Sequence, residues 1–249
     1  MNYCCKQVFL TCLLLTAYCL LAACGGPGER MKDIEAQKTP APTATPSERE
    51  ISGVFNVSGT AANDTEPYNG VLTVAPSGDV YSFRWTTNKG TRVGTGVQLG
   101  NMTAASYAAT GGGKGCGVAL YKIAPDGSME GKIARWGEKS FDRESATRIE
   151  GQGFVGKYAI NVSSSPNEGR PFNAGVLTIS KDGGGYDFEW KTDKPQVGFG
   201  IWKGSVAAAS FGGPQCSFAL YDIQSNGNME GNWGGQKSVT FGTESAKRQ

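Results

Sequence analysis

From Ile51 onward, apolar and polar residues alternate along most of the chain. In Tyr81-Ser-Phe-Arg-Trp85 the rings of Tyr81, Phe83 and Trp85 take every second position, and the spacing returns in Tyr186-Asp-Phe-Glu-Trp190. Side chains two apart on a strand share a face, so each pentapeptide predicts a strand with three rings on one side and polar groups on the other. Leu72, Val74, Ala119, Tyr121, Ile123, Met129 and Ile133 can share that apolar face, with Leu177, Ile179, Tyr221, Met229 and Trp233 as counterparts. Turn signals such as Pro76-Ser-Gly78, Asn88-Lys-Gly90 and Pro125-Asp-Gly127 separate the strand candidates. No helical period competes with this pattern, so the chain is expected to be all-β. Consecutive antiparallel hairpins of this kind can close into an eight-stranded barrel, which removes exposed edges. A β-sandwich is the alternative.

The strand pattern is written twice. Gly70-Val-Leu-Thr-Val74 returns as Gly175-Val-Leu-Thr-Ile179, Ala119-Leu-Tyr121 as Ala219-Leu-Tyr221, Gly127-Ser-Met-Glu-Gly131 as Gly227-Asn-Met-Glu-Gly231, and Glu144-Ser-Ala146 as Glu244-Ser-Ala246. Two tandem β domains follow, over residues 51–150 and 151–249. Two segments are apolar on both faces: Val118 and Leu120 alternate with Ala119 and Tyr121, and Phe218 and Leu220 do likewise. A strand apolar on both faces is covered on both, so these outer faces are expected to meet where the two barrels pack together.

The amino terminus reads differently. Val8 to Ala23 is an uncharged, largely apolar run, shorter than the roughly 20 residues that a membrane-spanning helix needs and suited to a signal-peptide core. It ends in Leu21-Ala22-Ala23-Cys24, which resembles a bacterial lipobox: small residues let a peptidase close on the chain, and the Cys24 thiol takes a diacylglyceryl group. Residues 1–23 are thus expected to be a lipoprotein signal peptide and Cys24 an acylated anchor. Each buried methylene contributes about 0.8 kcal/mol, and several acyl chains together hold durably. Residues 24–50 carry few large apolar side chains and a run of alternating prolines, the composition of a disordered spacer. The protein is expected at the cell envelope, on the outer membrane if the host is Gram-negative.

Composition removes several function classes. With 24 basic against 22 acidic residues and no basic blocks, the chain shows no nucleic-acid footprint. It contains no histidine, which takes away the commonest general base and metal ligand together. Gly111-Gly-Gly-Lys-Gly115 lacks the first glycine and the Ser or Thr of a phosphate loop, and a strand follows it instead of a helix. No catalytic residue, metal site or cofactor is implied. Cys116 and Cys216 stand at matching positions and are either a disulfide or two separate buried thiols; closing a loop of that length would stabilise by up to about 4–5 kcal/mol. Glu144 with Arg148 and Glu244 with Arg248 suggest ion pairs. Four strand residues span about 13 Å, however, so each must find a cross-strand partner or stay in water. Tyr81, Phe83, Trp85, Tyr186, Phe188 and Trp190 either fill the cores or line a small pocket at a barrel mouth.

The order Gly53-x-Phe55, Tyr68-x-Gly70-x-Leu72, Tyr81-x-Phe83-x-Trp85, Gly94-x-Gly96, Gly127-x-Met129-x-Gly131 and Glu144-x-x-x-Arg148 resembles a group of small exported bacterial proteins, many of them named fibronectin-binding protein. The second copy follows the pattern at Gly231-Asn-Trp233 and Gly242-Thr-Glu244, whereas the first has Ile133 for the tryptophan and Asp142-Arg143 before Glu144. In its turn the second copy departs at Phe172, which has an extra residue before Gly175. The resemblance implies a β fold, export and a matrix- or envelope-binding role. The functional expectation is therefore a membrane-anchored, non-enzymatic lipoprotein that binds a protein or envelope partner, or else carries a small apolar ligand in its barrel mouths.

Overall fold

Alternation every second residue needs a surface with one dry face, and a closed sheet supplies it without leaving an edge unpaired. The computed structural model describes residues 48–61, 66–108, 113–164 and 173–249. The expected signal peptide, Cys24 and most of the spacer lie outside the described residues. The first eight strands are β1 (Gly53–Thr60), β2 (Tyr68–Ser77), β3 (Val80–Thr87), β4 (Gly90–Leu99), β5 (Met102–Ala108), β6 (Gly117–Ile123), β7 (Met129–Arg135) and β8 (Asp142–Gln152). The second eight are β9 (Val155–Ser163), β10 (Asn173–Asp182), β11 (Gly185–Lys191), β12 (Gln196–Lys203), β13 (Val206–Phe211), β14 (Cys216–Ile223), β15 (Met229–Gly235) and β16 (Gly242–Arg248).

They form two closed antiparallel barrels of eight strands each. The barrels are not the two sequence copies set side by side. One barrel is β6 to β13 in unbroken order, closed by pairing of β13 with β6. The other takes β1 to β5 and β14 to β16, closed by β1 on β16 and by β5 on β14. The inserted barrel thus sits within the β5-to-β14 connection of the split barrel. Each barrel draws strands from both copies, so residues 51–150 and 151–249 mark the repeat in the sequence and not the closed units in space.

The cores follow the barrels. Phe83 and Trp85 share their interior with Leu72, Tyr221 and Met229 of the split barrel, while Phe188 and Trp190 share theirs with Leu177, Tyr121 and Met129 of the inserted one. Tyr121 therefore belongs with the rings of the other copy. Phe83 and Phe188 are fully enclosed, each contributing about 1.5–3 kcal/mol by leaving water. Each interior is filled by its own side chains, as an eight-stranded barrel of this size allows.

Outer faces of β4, β5 and β14 meet those of β6, β12 and β13. Val97, Ala104, Phe218 and Leu220 pack there against Val118, Leu120, Phe199, Ile201 and Ala208. Runs of alanine, Ala104–Ala105 and Ala207–Ala209, keep β5 and β13 thin where they are buried on both faces. Where the chain crosses between barrels, Cys116 and Cys216 form a disulfide whose Cα atoms lie 5.6 Å apart.

One end of each barrel is plugged. Ile51 closes the split barrel and Phe154 the inserted one, both buried. The arginines four residues after the paired glutamates hold these plugs: Arg248 donates to the carbonyls of Glu50 and Ser52 at 2.8 Å, and Arg148 donates to the carbonyl of Gly153. Neither arginine meets its glutamate, in keeping with the strand spacing. The glutamates lie at the opposite end, where the described residues leave a mouth.

Candidate functional site

Position 144 shares the inward face of β8 with Ala146, and position 244 shares that of β16 with Ala246. Alternation therefore turns both carboxyl groups into the barrels, just below the open mouths. Glu144 is 1% and Glu244 is 4% exposed. A carboxylate taken from water needs donors to replace it, and the repeated aromatic residues supply them. In the inserted barrel the Tyr121 hydroxyl donates to Glu144 Oε1 at 2.6 Å and the Trp190 indole N–H donates to the same oxygen at 3.3 Å. In the split barrel the Tyr221 hydroxyl donates to Glu244 Oε1 at 2.5 Å and the Trp85 indole N–H at 3.1 Å. The last ring of each pentapeptide thus does two things: it fills the core and its N–H forms part of the floor of a mouth. Phe83 and Phe188 are core only, and Tyr81 and Tyr186 pack half-buried against the same cores.

The two floors differ at the second carboxylate oxygen. Glu244 Oε2 accepts the Tyr68 hydroxyl at 2.6 Å. Glu144 Oε2 is buried and has no hydrogen-bond partner. Tyr68 lies opposite Gly59 in the β1–β2 register, and Asn173 opposite Val162 at the matching place of β9–β10. Gly59 is required: a Cβ there would run into the Tyr68 ring. A second glycine, Gly242, makes room in the same way for the Trp233 indole, which meets Tyr68 edge-on at 6.1 Å between centroids. The inserted barrel has Asp142 and Ile133 instead. Two large rings consequently narrow one mouth and have no counterpart among the described residues of the other; Phe172 lies outside the described residues.

Volume follows from those substitutions. The mouth of the inserted barrel encloses about 440 Å³, walled by Trp190, Phe211, Ile133 and Val162, with Glu144 at the floor and Arg135, Glu138, Asp142, Asp193 and Lys194 among the rim groups. That of the split barrel encloses about 190 Å³ between Tyr68, Trp85, Tyr107, Tyr221 and Trp233, with Lys89 and Arg92 beside Glu244. Among the described residues, four acidic against two basic side chains line the first, one against two the second. Arg92 stands opposite Trp85 where Gln196 stands opposite Trp190.

Electrostatics reflects the burial. Loss of water pushes the Glu144 carboxyl up to about 7, against the pull of the Tyr121 and Trp190 donors. Burial also raises Glu244, opposed by Tyr221, Tyr68 and Trp85 and by the charge of Arg92. Both Tyr121 and Tyr221 are driven well above the ordinary phenol range, first by burial and then by the neighbouring carboxylate. They are fixed donors, not acids.

Sequence reasoning placed Trp85 and Trp190 as core or pocket and left Glu144 and Glu244 without partners. A usable signal was present in the inward parity of those glutamates with Ala146 and Ala246. Cys116 and Cys216 line neither mouth and join the two barrels where the chain crosses between them. Cys24 lies outside the described residues. Compared with known proteins, the chain matches no family model, no curated protein and no solved structure.

Proposed function

We propose that the protein is an exported, lipid-anchored binding protein whose inserted barrel takes a small ligand into its open mouth. The observation that carries this reading is the cavity of about 440 Å³ over Glu144, whose Oε2 is buried without a donor. That volume falls within the range of roughly 300–1,000 Å³ typical of ligand sites, and an apolar wall with a few convergent polar groups is their usual lining. A buried acceptor lacking a partner costs about 1–3 kcal/mol, which a ligand donor would recover.

Binding fits the site better than turnover. A raised carboxyl can mark a general acid or base, but Glu144 is flanked by Tyr121 and Trp190, donors whose role is to hold it. Adhesion through the outer surface has less behind it: of the exposed apolar side chains among the described residues, Val54, Ile149, Val197 and Val239 fall on different segments, and Trp202 and Val155 gather only around the Phe154 plug. The anchor rests on Cys24 after its apolar leader. In the split barrel the chain arrives through Arg49 and Ile51 at the plugged end.

Native mass spectrometry of the protein extracted from its own membranes tests the reading. The expected result is a bound small molecule released on activation and lost in Glu144→Gln, together with an acylated amino-terminal peptide beginning at Cys24. Empty wild-type protein that also fails to take up any compound of a small-molecule library would overturn it.

A further inference from the structure

We propose that the ligand of the inserted barrel is a small organic cation, an N–H donor on a flat or apolar body, whose donor occupies the place that the Tyr68 hydroxyl fills in the split barrel. The inference rests on the preceding reading that this mouth binds a small molecule, and it adds the chemical class.

The split barrel supplies the template. Its carboxylate is complete because three protein donors reach it, and the third, Tyr68, meets Oε2 from across the mouth at 2.6 Å. In the inserted barrel the same two floor donors, Tyr121 and Trp190, both go to Oε1, and Oε2, buried on a side chain that lines the cavity, has no hydrogen-bond partner. The missing group must be a donor, because a carboxylate only accepts.

Charge then separates a cation from a neutral donor. Glu144 is held in a dry floor, where an ionised carboxylate is costly unless a counter-charge joins it. No basic side chain among the described residues hydrogen-bonds to Glu144, and Arg135 is turned to Asp142 at 3.3 Å and to Glu138. With four acidic against two basic groups among the described residues around the cavity, their field favours a positive ligand. The walls suit one as well. Trp190 and Phe211 pack against each other at 5.5 Å between centroids and form an apolar wall, and a cation already lies on it, the Arg135 guanidinium 5.6 Å over the Phe211 ring. The split barrel has the opposite balance, with Lys89 and Arg92 at its rim.

The test uses the intact protein and three probes of one shape: 2-phenylethylammonium, 2-phenylethanol and 3-phenylpropionate. Tryptophan fluorescence and calorimetry are read at pH 8, above the value of about 7 to which burial lifts Glu144. The ammonium is expected to bind about tenfold or more tighter than either isostere, the gain of one charge-assisted hydrogen bond. Glu144→Gln, nearly isosteric and able to fold, should lower that affinity by about tenfold. The pair Val162→Gly with Asn173→Tyr, which writes the split barrel's closure into the inserted one, should abolish binding while thermal unfolding stays cooperative. Equal binding of the alcohol, preference for the carboxylate, or Glu144→Gln within about twofold of wild type would each overturn the cation. A small molecule co-purifying with the protein would in those cases still sustain the binding reading, so the two fail separately.

Discussion

The two mouths are built on the same floor and end in opposite states. In the split barrel Tyr68 and Trp233 lean across the opening, Gly59 and Gly242 give way to them, and both oxygens of Glu244 are engaged. In the inserted barrel Val162 and Asp142 stand where those glycines stand, Ile133 replaces the indole, and one oxygen of Glu144 has no hydrogen-bond partner. Duplication retained the expensive part, a buried carboxylate with its tyrosine and tryptophan donors. What diverged is the rim. A lid made of one tyrosine and one tryptophan needs two glycines beneath it, so closure is lost or gained as a set of four residues and not singly.

Four measurements break or sharpen this comparison. The largest effect belongs to the crossing between barrels. Replacing both Cys116 and Cys216 by serine is expected to lower stability by up to about 4–5 kcal/mol, from the entropy of a loop closed over 100 residues. Urea unfolding under non-reducing conditions measures the loss. Amide exchange should quicken more in β14 to β16 than in β9 to β12, because only the split barrel depends on strands returning from beyond the insertion. Equal loss of protection in both sets would contradict that dependence.

Next is pH. Burial raises Glu144 to about 7 from an ordinary 4.5, so the folded chain keeps a proton that the unfolded chain has already released. The stability that proton brings is complete below the lower value and fades as pH climbs through the higher one. The loss is on the order of 3 kcal/mol across that window. Glu144→Gln should flatten this part of the profile, and a difference curve between variant and wild type without slope there would refute the assignment.

The third measurement compares hydroxyls. At pH 8, Tyr121→Phe should cost about 2 kcal/mol and Tyr221→Phe about 1 kcal/mol, since Glu244 keeps a second phenol donor and Glu144 does not. Chemical denaturation of the pair reads the difference, and reversed order would sink the account of the two floors. Smallest is Tyr68→Phe, about 1 kcal/mol, with the Glu244 carboxyl moving further above its ordinary range. Carboxylate titration by NMR checks the direction, and an unmoved Glu244 would mean that Tyr68 is not its donor.

Much of the fold is legible in the pattern of the chain. Period-two alternation places Phe83, Trp85, Phe188 and Trp190 inside, and the doubly apolar segments at Val118–Tyr121 and Phe218–Tyr221 foretell the contact between the barrels. The interleaving is not legible, for a physical reason: β6 and β14 carry nearly the same inward residues, Ala119 with Tyr121 and Ala219 with Tyr221, so either could complete either barrel. Local pattern has no means of choosing between equal partners. The candidate site was half visible. The departures at Ile133, Asp142 and Phe172 stand out in the aligned copies, but they gain meaning only once Tyr68 is found on Glu244, 176 residues away.

The turn from Gln152 to Val155 is the seam between the copies, with Gln152, Gly153 and Val155 exposed around the buried Phe154. A protease entering there would cut the chain in two, yet neither piece would own a barrel. Each fragment has strands woven into both walls, with Cys116 and Cys216 tying one fragment to the other. The nicked protein would migrate as two bands on a reducing gel and behave in solution as one body, its pieces clasped like interlaced fingers until the thiols are reduced and the strands unravelled.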